Sequence, residues 1–223
     1  MRAADEVSFS VKAGEVYGLL GANGAGKSTT MRMLATLTRP TSGTATVCGH
    51  DIITAPDRVR AQLGYLSASS GLPIRVTCRE VLDLFAHLHH VPNPKEATER
   101  ALDDYGVRTF ADRRIETLST GMRQRVRIAC STVHTPPVLI LDEPTSGLDL
   151  VAADSLLDTI LEVRNRGASI IFSTHILREV EKICDRIGVL HQGRLRAEGT
   201  IEELMAETGT DRFEDAFLRL LSS

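Results

Sequence analysis

The stretch Gly21-Ala-Asn-Gly-Ala-Gly-Lys-Ser28 constrains this chain more than any other, because the spacing G-x-x-x-x-G-K-[ST] works only between a strand and a helix. The flanking residues fit that demand. Val16-Tyr-Gly-Leu-Leu20 is a short apolar run suited to a buried strand, and Thr29 to Thr36, carrying Met31, Met33 and Leu34, can continue as a helix. Glycines at 21, 24 and 26 permit the positive φ angles that turn successive backbone N–H groups toward one point. The dipole of the new helix adds to that point. Lys27 then brings a charge to the β- and γ-phosphates of a nucleotide, and the Ser28 hydroxyl suits Mg²⁺. Ala22, Asn23, Gly24, Ala25 and Thr29 complete the expected nucleotide-binding loop.

Composition adds few further limits. The 223 residues suit one large domain or one and a half, with a sizeable core, at 42% hydrophobic and 25% charged. A net charge of −3 does not suggest a nucleic-acid binder. Cys48, Cys78, Cys130 and Cys184 form no C-x-x-C pair, which points away from zinc or a disulfide framework and toward a reducing cytosol. Met1 to Glu6 lacks the apolar core of a signal peptide, and no run approaches the ~20 apolar residues of a membrane-spanning helix. A soluble, cytoplasmic chain is expected, with any membrane role exercised through a partner.

Strand and helix patterns alternate along most of the chain. Val7 to Val11, Thr44 to Val47, Leu63 to Leu66, Val138 to Leu141, Ser169 to Ser173, Ile187 to Leu190 and Leu195 to Ala197 read as strands. Between 67 and 136 the pattern turns helical. Arg79 to His90 puts Val81, Leu82, Phe85 and Leu88 on one face, Asn93-Pro94 opens a second helix with a capping box to Glu96, and Ser119 to Val133 forms a third. His87, His89 and His90 read as an exposed helix end rather than a metal site. Helical patterns return at Val151 to Arg166 and Ile176 to Lys182, and Thr200 and Asp211 cap two closing helices. The expected fold class is α/β, a mainly parallel sheet with helices on both faces. Its core comes from residues 1–66 and 137–199, with an inserted α-helical subdomain at 67–136 and C-terminal helices at 200–223.

The strand at Val138 to Leu141 ends in Asp142-Glu143, where α/β sheets hold ligands. Beside a phosphate loop the two carboxylates divide the work. Asp142 holds Mg²⁺ through water, and the longer Glu143 polarises the water that attacks the γ-phosphate. Leu118-Ser-Thr-Gly-Met-Arg-Gln-Arg125 offers a second anion site, from the Ser119 hydroxyl and the Gly121 N–H at a helix start. With no lysine of its own, this second site suggests completion of a nucleotide site elsewhere.

In this order the motifs resemble those of the nucleotide-binding subunits of ABC transporters, over nearly the whole chain. Gly21 to Ser28 resembles Walker A, and Val138 to Glu143 resembles Walker B with its catalytic glutamate. Leu118 to Arg125 resembles the signature motif, Ser146-Gly-Leu-Asp149 the D-loop, and His175 the switch histidine. The resemblance implies a P-loop NTPase (RecA-like) core with a small antiparallel β part, and ATP and Mg²⁺ as cofactors. It implies a head-to-tail homodimer or heterodimer that sandwiches MgATP. Ser119 and Gly121 of one chain would reach the γ-phosphate held at Lys27 of the other, and His175 would bridge that phosphate to the partner's D-loop near Asp149. It further implies a separate membrane permease, which selects cargo and holds the chain on the inner face of the cell membrane.

Departures from the family pattern are informative. The family begins about two strands earlier, with an aromatic residue that stacks on adenine, whereas this chain enters near Arg2-Ala-Ala-Asp5. Either base affinity is reduced or the chain starts late, since Tyr17 lies too close to the loop to take that place. Ala68 stands where the Q-loop glutamine belongs, with Ser67 and Ser69 as the nearest hydroxyls. Ser-Thr-Gly-Met replaces the usual Ser-Gly-Gly-Gln, a spelling most similar to the sodium-extrusion (NatA-like) and drug-efflux branch. The leading expectation is an exporter ATPase; a soluble non-transport ABC ATPase or a degenerate nucleotide-dependent regulator are the alternatives.

Overall fold

The computed structural model describes residues 2–67 and 71–222. Among them, β1 (Val16–Leu20), β4 (Leu63–Ser67), β5 (Val138–Asp142), β6 (Ser169–Thr174), β7 (Arg186–His191) and β8 (Arg194–Gly199) form one sheet in the order β4-β5-β6-β1-β7-β8. The pairings from β4 through β7 are parallel, and β8 returns antiparallel to β7. The turn between them places Gln192 at φ 48 and Gly193 at φ 81, the paired positive angles that match a hairpin's twist. Register puts Asp142 level with Ser67 on one side and Ser173 on the other.

The core strands read as unbroken apolar runs because both faces are covered. On one face Val16, Leu139, Leu141, Ile170 and Phe172 pack with Leu156 and Ile160 of α6 (Leu150–Asn165). On the other, Tyr17, Leu19, Ile140 and Ile171 meet Met31 of α1 (Lys27–Leu34). Alternate residues of a strand point to opposite faces, so each strand serves both cores. Thr44 to Val47 shortens to β2 (Thr46–Val47), which pairs antiparallel with β3 (His50–Asp51), and α2 (Pro56–Ala61) follows.

Val7 to Val11 does not join a ladder among the described residues. Val7, Phe9 and Val11 nonetheless pack onto the core around Tyr17. Alternation reported the buried face correctly but carried no information about a pairing partner.

Among the described residues between β4 and β5 there are three α-helices, α3 (Cys78–Leu88), α4 (Pro94–Asp104) and α5 (Thr120–Thr132), and two short 3-10 turns. A capping box between Thr77 and Glu80 starts α3. Val81 and Leu82 are buried, but Leu88, expected on the same face, is 62% exposed. Asn93 caps α4 by position only: its Nδ2 donates to the Glu96 carboxylate at 3.3 Å, and its side chain accepts no backbone N–H. His89 is half-buried and stacks on His134, ring centroids 3.7 Å apart, rather than standing free at the helix end. Burial and the neighbouring ring push His134 down to about 4, and burial lowers His89 as well, so both rings favour the neutral form.

α5 lies close on β4 because Gly64 has no side chain; a Cβ there would sit 2.3 Å from the Ser131 carbonyl oxygen. Gly64→Ala is therefore expected to lower unfolding free energy by about 1–3 kcal/mol, read as a shift of the urea midpoint. An unchanged midpoint would mean that α5 yields freely at this contact.

After α6 come β6, then α7 (Leu177–Ile183) and the β7–β8 hairpin. α8 (Ile201–Thr208) opens with the Thr200–Glu203 capping box and stops at Gly209, φ 63. With α9 (Phe213–Ser222) it covers Ile187 and Val189 of β7.

Candidate functional site

The carboxyl ends of β1, β5 and β6 lie side by side, and the loop 21–26 leaves β1 there to enter α1. Gly24 at φ 81 and Gly26 at φ 106 adopt angles that a side chain would strain. Gly21 is needed for a different reason. It has no positive φ, but a Cβ there would lie 2.3 Å from the Leu190 carbonyl oxygen. Ala25 faces the core, and its carbonyl accepts the Gly193 N–H at 2.9 Å. The β7 end and the hairpin turn thus brace the back of the loop.

The loop encloses a pocket of about 350 Å³. Asn23, Gly24, Gly26, Lys27, Ser28 and Thr29 line it from the loop side, and Asp142 and Glu143 from β5. The Lys27 side chain is 3% exposed; its Nζ donates to the carbonyls of Gly21 at 2.7 Å and Ala22 at 3.2 Å, and lies 3.1 Å from Glu143 Oε1. These acceptors stand where phosphate oxygens could replace them. The Ser28 hydroxyl donates to Asp142 Oδ1 at 3.0 Å. A hydroxyl and a carboxylate converging beside a phosphate loop make a hard oxygen donor set of the kind Mg²⁺ takes.

Glu143 follows β5 at φ 49, an uncommon angle for a residue with a side chain. Its N–H is held by Ser173, bonding the carbonyl at 3.2 Å and Oγ at 3.1 Å. The same Ser173 hydroxyl donates to Asp142 Oδ1 at 2.7 Å, so one buried serine fixes the Asp142 carboxylate and the Glu143 backbone together. Sequence reasoning passed over Ser173. Its only signal was a hydroxyl in an apolar strand, and its importance depends on β6 lying beside β5. His175 Nδ1 is 3.6 Å from Glu143 Oε1, with the imidazole 44% exposed at the pocket's edge.

Other expected residues lie elsewhere. Ser119 is the exposed N-cap of α5 and accepts the Met122 N–H at 3.2 Å. Asp149 is the exposed N-cap of α6 and accepts the Ala152 N–H at 2.9 Å. A Cβ on Gly121 would be 3.3 Å from that of Ala152, so the starts of α5 and α6 share one surface. None of Ser119, Gly121 and Asp149 lines the loop's pocket. Tyr17 is fully buried and stacks on Phe9, centroids 4.9 Å apart, which removes it as a platform for a base. Ala68 and Ser69 lie outside the described residues.

Residues 4–146 match the family model described as ABC transporter. The chain belongs to the ABC transporter family. Its likeness is to the ATP-binding subunits: a solved structure titled "Structure of ATP binding subunit of ABC transporter" superposes with a TM-score of 0.86 at 32% identity, covering 98% of this chain and 92% of that one. The "Daunorubicin/doxorubicin resistance ATP-binding protein DrrA" of Streptomyces peucetius is 41% identical over 212 residues, 94% of this chain and 64% of that protein. The "ABC transporter ATP-binding protein NatA" of Bacillus subtilis (strain 168) is 36% identical over 219 residues, 96% of this chain and 87% of that protein. The chain spans 39% of the "Probable multidrug ABC transporter ATP-binding protein YbhF" of Escherichia coli (strain K12), at 37% identity. These relatives come from the branch that the Ser119-Thr-Gly-Met spelling resembles. As an ABC ATP-binding chain it has no helix, among the described residues, long and apolar enough to cross a membrane.

Proposed function

We propose that this chain hydrolyses ATP as the motor subunit of an ABC exporter, working as a dimer on a separate permease. The observation that carries the reading is a division of parts. Lys27, Ser28, Asp142 and Glu143 converge on one pocket, while the exposed Ser119 and Asp149 and the partly exposed Gly121 lie away from it. A second copy, or a similar chain, facing head to tail brings that exposed surface over the pocket. Thr29 and the loop amides bind the nucleotide phosphates, and Lys27 leaves its carbonyl partners for the β- and γ-oxygens. Ser28 would hold Mg²⁺ directly and Asp142 through water, and the bound ion would supply positive charge against the phosphate oxygens. Glu143 accepts a proton from the attacking water, and His175 adds a donor beside it. The partner's Ser119 and Gly121 close the γ-phosphate.

In this reading residues 1–66 and 137–199 are the ATPase core and 67–136 the lobe that meets the permease around 67–85. Residues 200–223 brace the hairpin edge. The chain works on the cytoplasmic face of the membrane through its permease, without nucleic acid. Tagged chain purified from detergent-solubilised membranes with MgATP is expected to retain a multi-span membrane protein that raises its ATPase rate. ATP turnover with no such protein retained would overturn the exporter reading in favour of a non-transport ATPase.

A further inference from the structure

Arg127 is the residue of α5 whose presence is least explained by packing. Its guanidinium is half-buried and makes no ion pair among the described residues. Burial pushes its pKa down, and no acidic neighbour opposes that. A cation desolvated without a counter-charge costs free energy that a methionine in its place would not. What arginine supplies is a planar fork able to reach two acceptors at once.

Those two acceptors belong to different elements. One arm donates to the Ser67 carbonyl, at the last residue of β4 and level with Asp142. The other donates to Gln124 Oε1 at 2.6 Å. Gln124 is itself buried, and its Nε2 donates to the carbonyl of Pro144, the residue after Glu143. The side chains of Arg127 and Gln124 therefore tie α5 to the backbone on both sides of the two carboxylates. Ser119 caps the same helix about two turns earlier.

We propose that Arg127 is a positioning residue that, through Gln124, couples α5 to the placement of Glu143 for hydrolysis. This rests on the reading that Glu143 receives the proton and that the α5 start meets the partner's nucleotide. A short helix packed along its length moves as a rigid body, so contact at Ser119 displaces Arg127 and Gln124 together. The fork passes that displacement to Ser67 and Pro144. Nucleotide binding at Lys27 and Ser28 does not use this route.

The test is steady-state ATPase of the full chain carrying Arg127→Met or Arg127→Lys, with thermal melting alongside. Arg127→Met is expected to lower kcat about tenfold or more while leaving KM for ATP within about twofold. Its Tm should hold or rise, since only neutral acceptors lose a donor. Arg127→Lys, which can reach one acceptor but not fork to two, should recover part of kcat. Parental kcat in Arg127→Met would overturn the proposal, as would a kcat loss matched by lost Tm and restored in full at a temperature where the variant is folded. If Arg127→Met does not fold, parental kcat in Arg127→Lys overturns it. A Glu143→Gln control separates the two levels: parental turnover there defeats the catalytic reading, while an inactive Glu143→Gln beside a fully active Arg127→Met defeats only this proposal.

Discussion

Glu143→Gln is expected to reduce ATP turnover by about three orders of magnitude while leaving ATP bound. Glutamine keeps the side chain's size and can keep the odd backbone angle, φ 49, which Ser173 holds through the backbone N–H. It cannot take a proton at neutral pH, so the step that activates water is lost. It also removes the carboxylate 3.1 Å from Lys27 Nζ, which frees the ammonium for phosphate and takes a negative charge away from the γ-phosphate. Binding should be as tight as in the parent or tighter, and the dimer should accumulate in its ATP-loaded form. Single-turnover hydrolysis and size-exclusion chromatography with MgATP check both halves. Equal hydrolysis rates for variant and parent would remove Glu143 from the proton's path.

Lys27→Met is expected to weaken ATP binding about a hundredfold or more, equivalent to about 3 kcal/mol of lost charge-assisted contact. The ammonium is 3% exposed and sits among three acceptors, the Gly21 and Ala22 carbonyls and Glu143 Oε1. No backbone group can replace a positive charge there, because an amide N–H carries only a partial one. Methionine has a similar length, so α1 should stay seated on Ile140 and Ile171. Titration with a fluorescent ATP analogue, alongside a melting curve, separates lost affinity from lost fold. An affinity within tenfold of the parent would mean that the phosphates sit elsewhere.

The two variants also separate roles that share one ion pair. Glu143→Gln removes the carboxylate and should spare binding, whereas Lys27→Met removes the ammonium and should spoil it. Opposite effects from breaking the same 3.1 Å contact would show that the pair matters for what each member does with nucleotide, and little for stability.

Much of this site could be read before any coordinates because its chemistry is local. Backbone amides at a helix start, a lysine and a serine within one loop need only sequence spacing, and Asp142-Glu143 needs only to end an apolar strand. The strands that were buried on both faces, β1, β5 and β6, were legible for the same reason: a continuous apolar run has few other places to go. Spacing failed where pairing mattered. Val7 to Val11 alternates as a strand does, yet alternation reports a buried face and not a hydrogen-bonded neighbour. Leu88 continues the periodicity of α3 past the point where α4 and α5 can cover it.

Sequence alone, then, determined the phosphate loop, the acidic pair, the α/β class and, through ordered motifs, the ABC resemblance. Tertiary structure decided what those motifs face. Ser173 reaches Asp142 and Glu143 only because β6 lies beside β5, and Gly21 must be glycine because Leu190 of β7 passes behind it. Arg127 and Gln124 meet Ser67 and Pro144 because Gly64 lets α5 settle on β4. Each is a contact between residues distant in the chain, created by strand order and close packing. Local spacing cannot encode it, since many strand orders are compatible with the same runs of apolar residues.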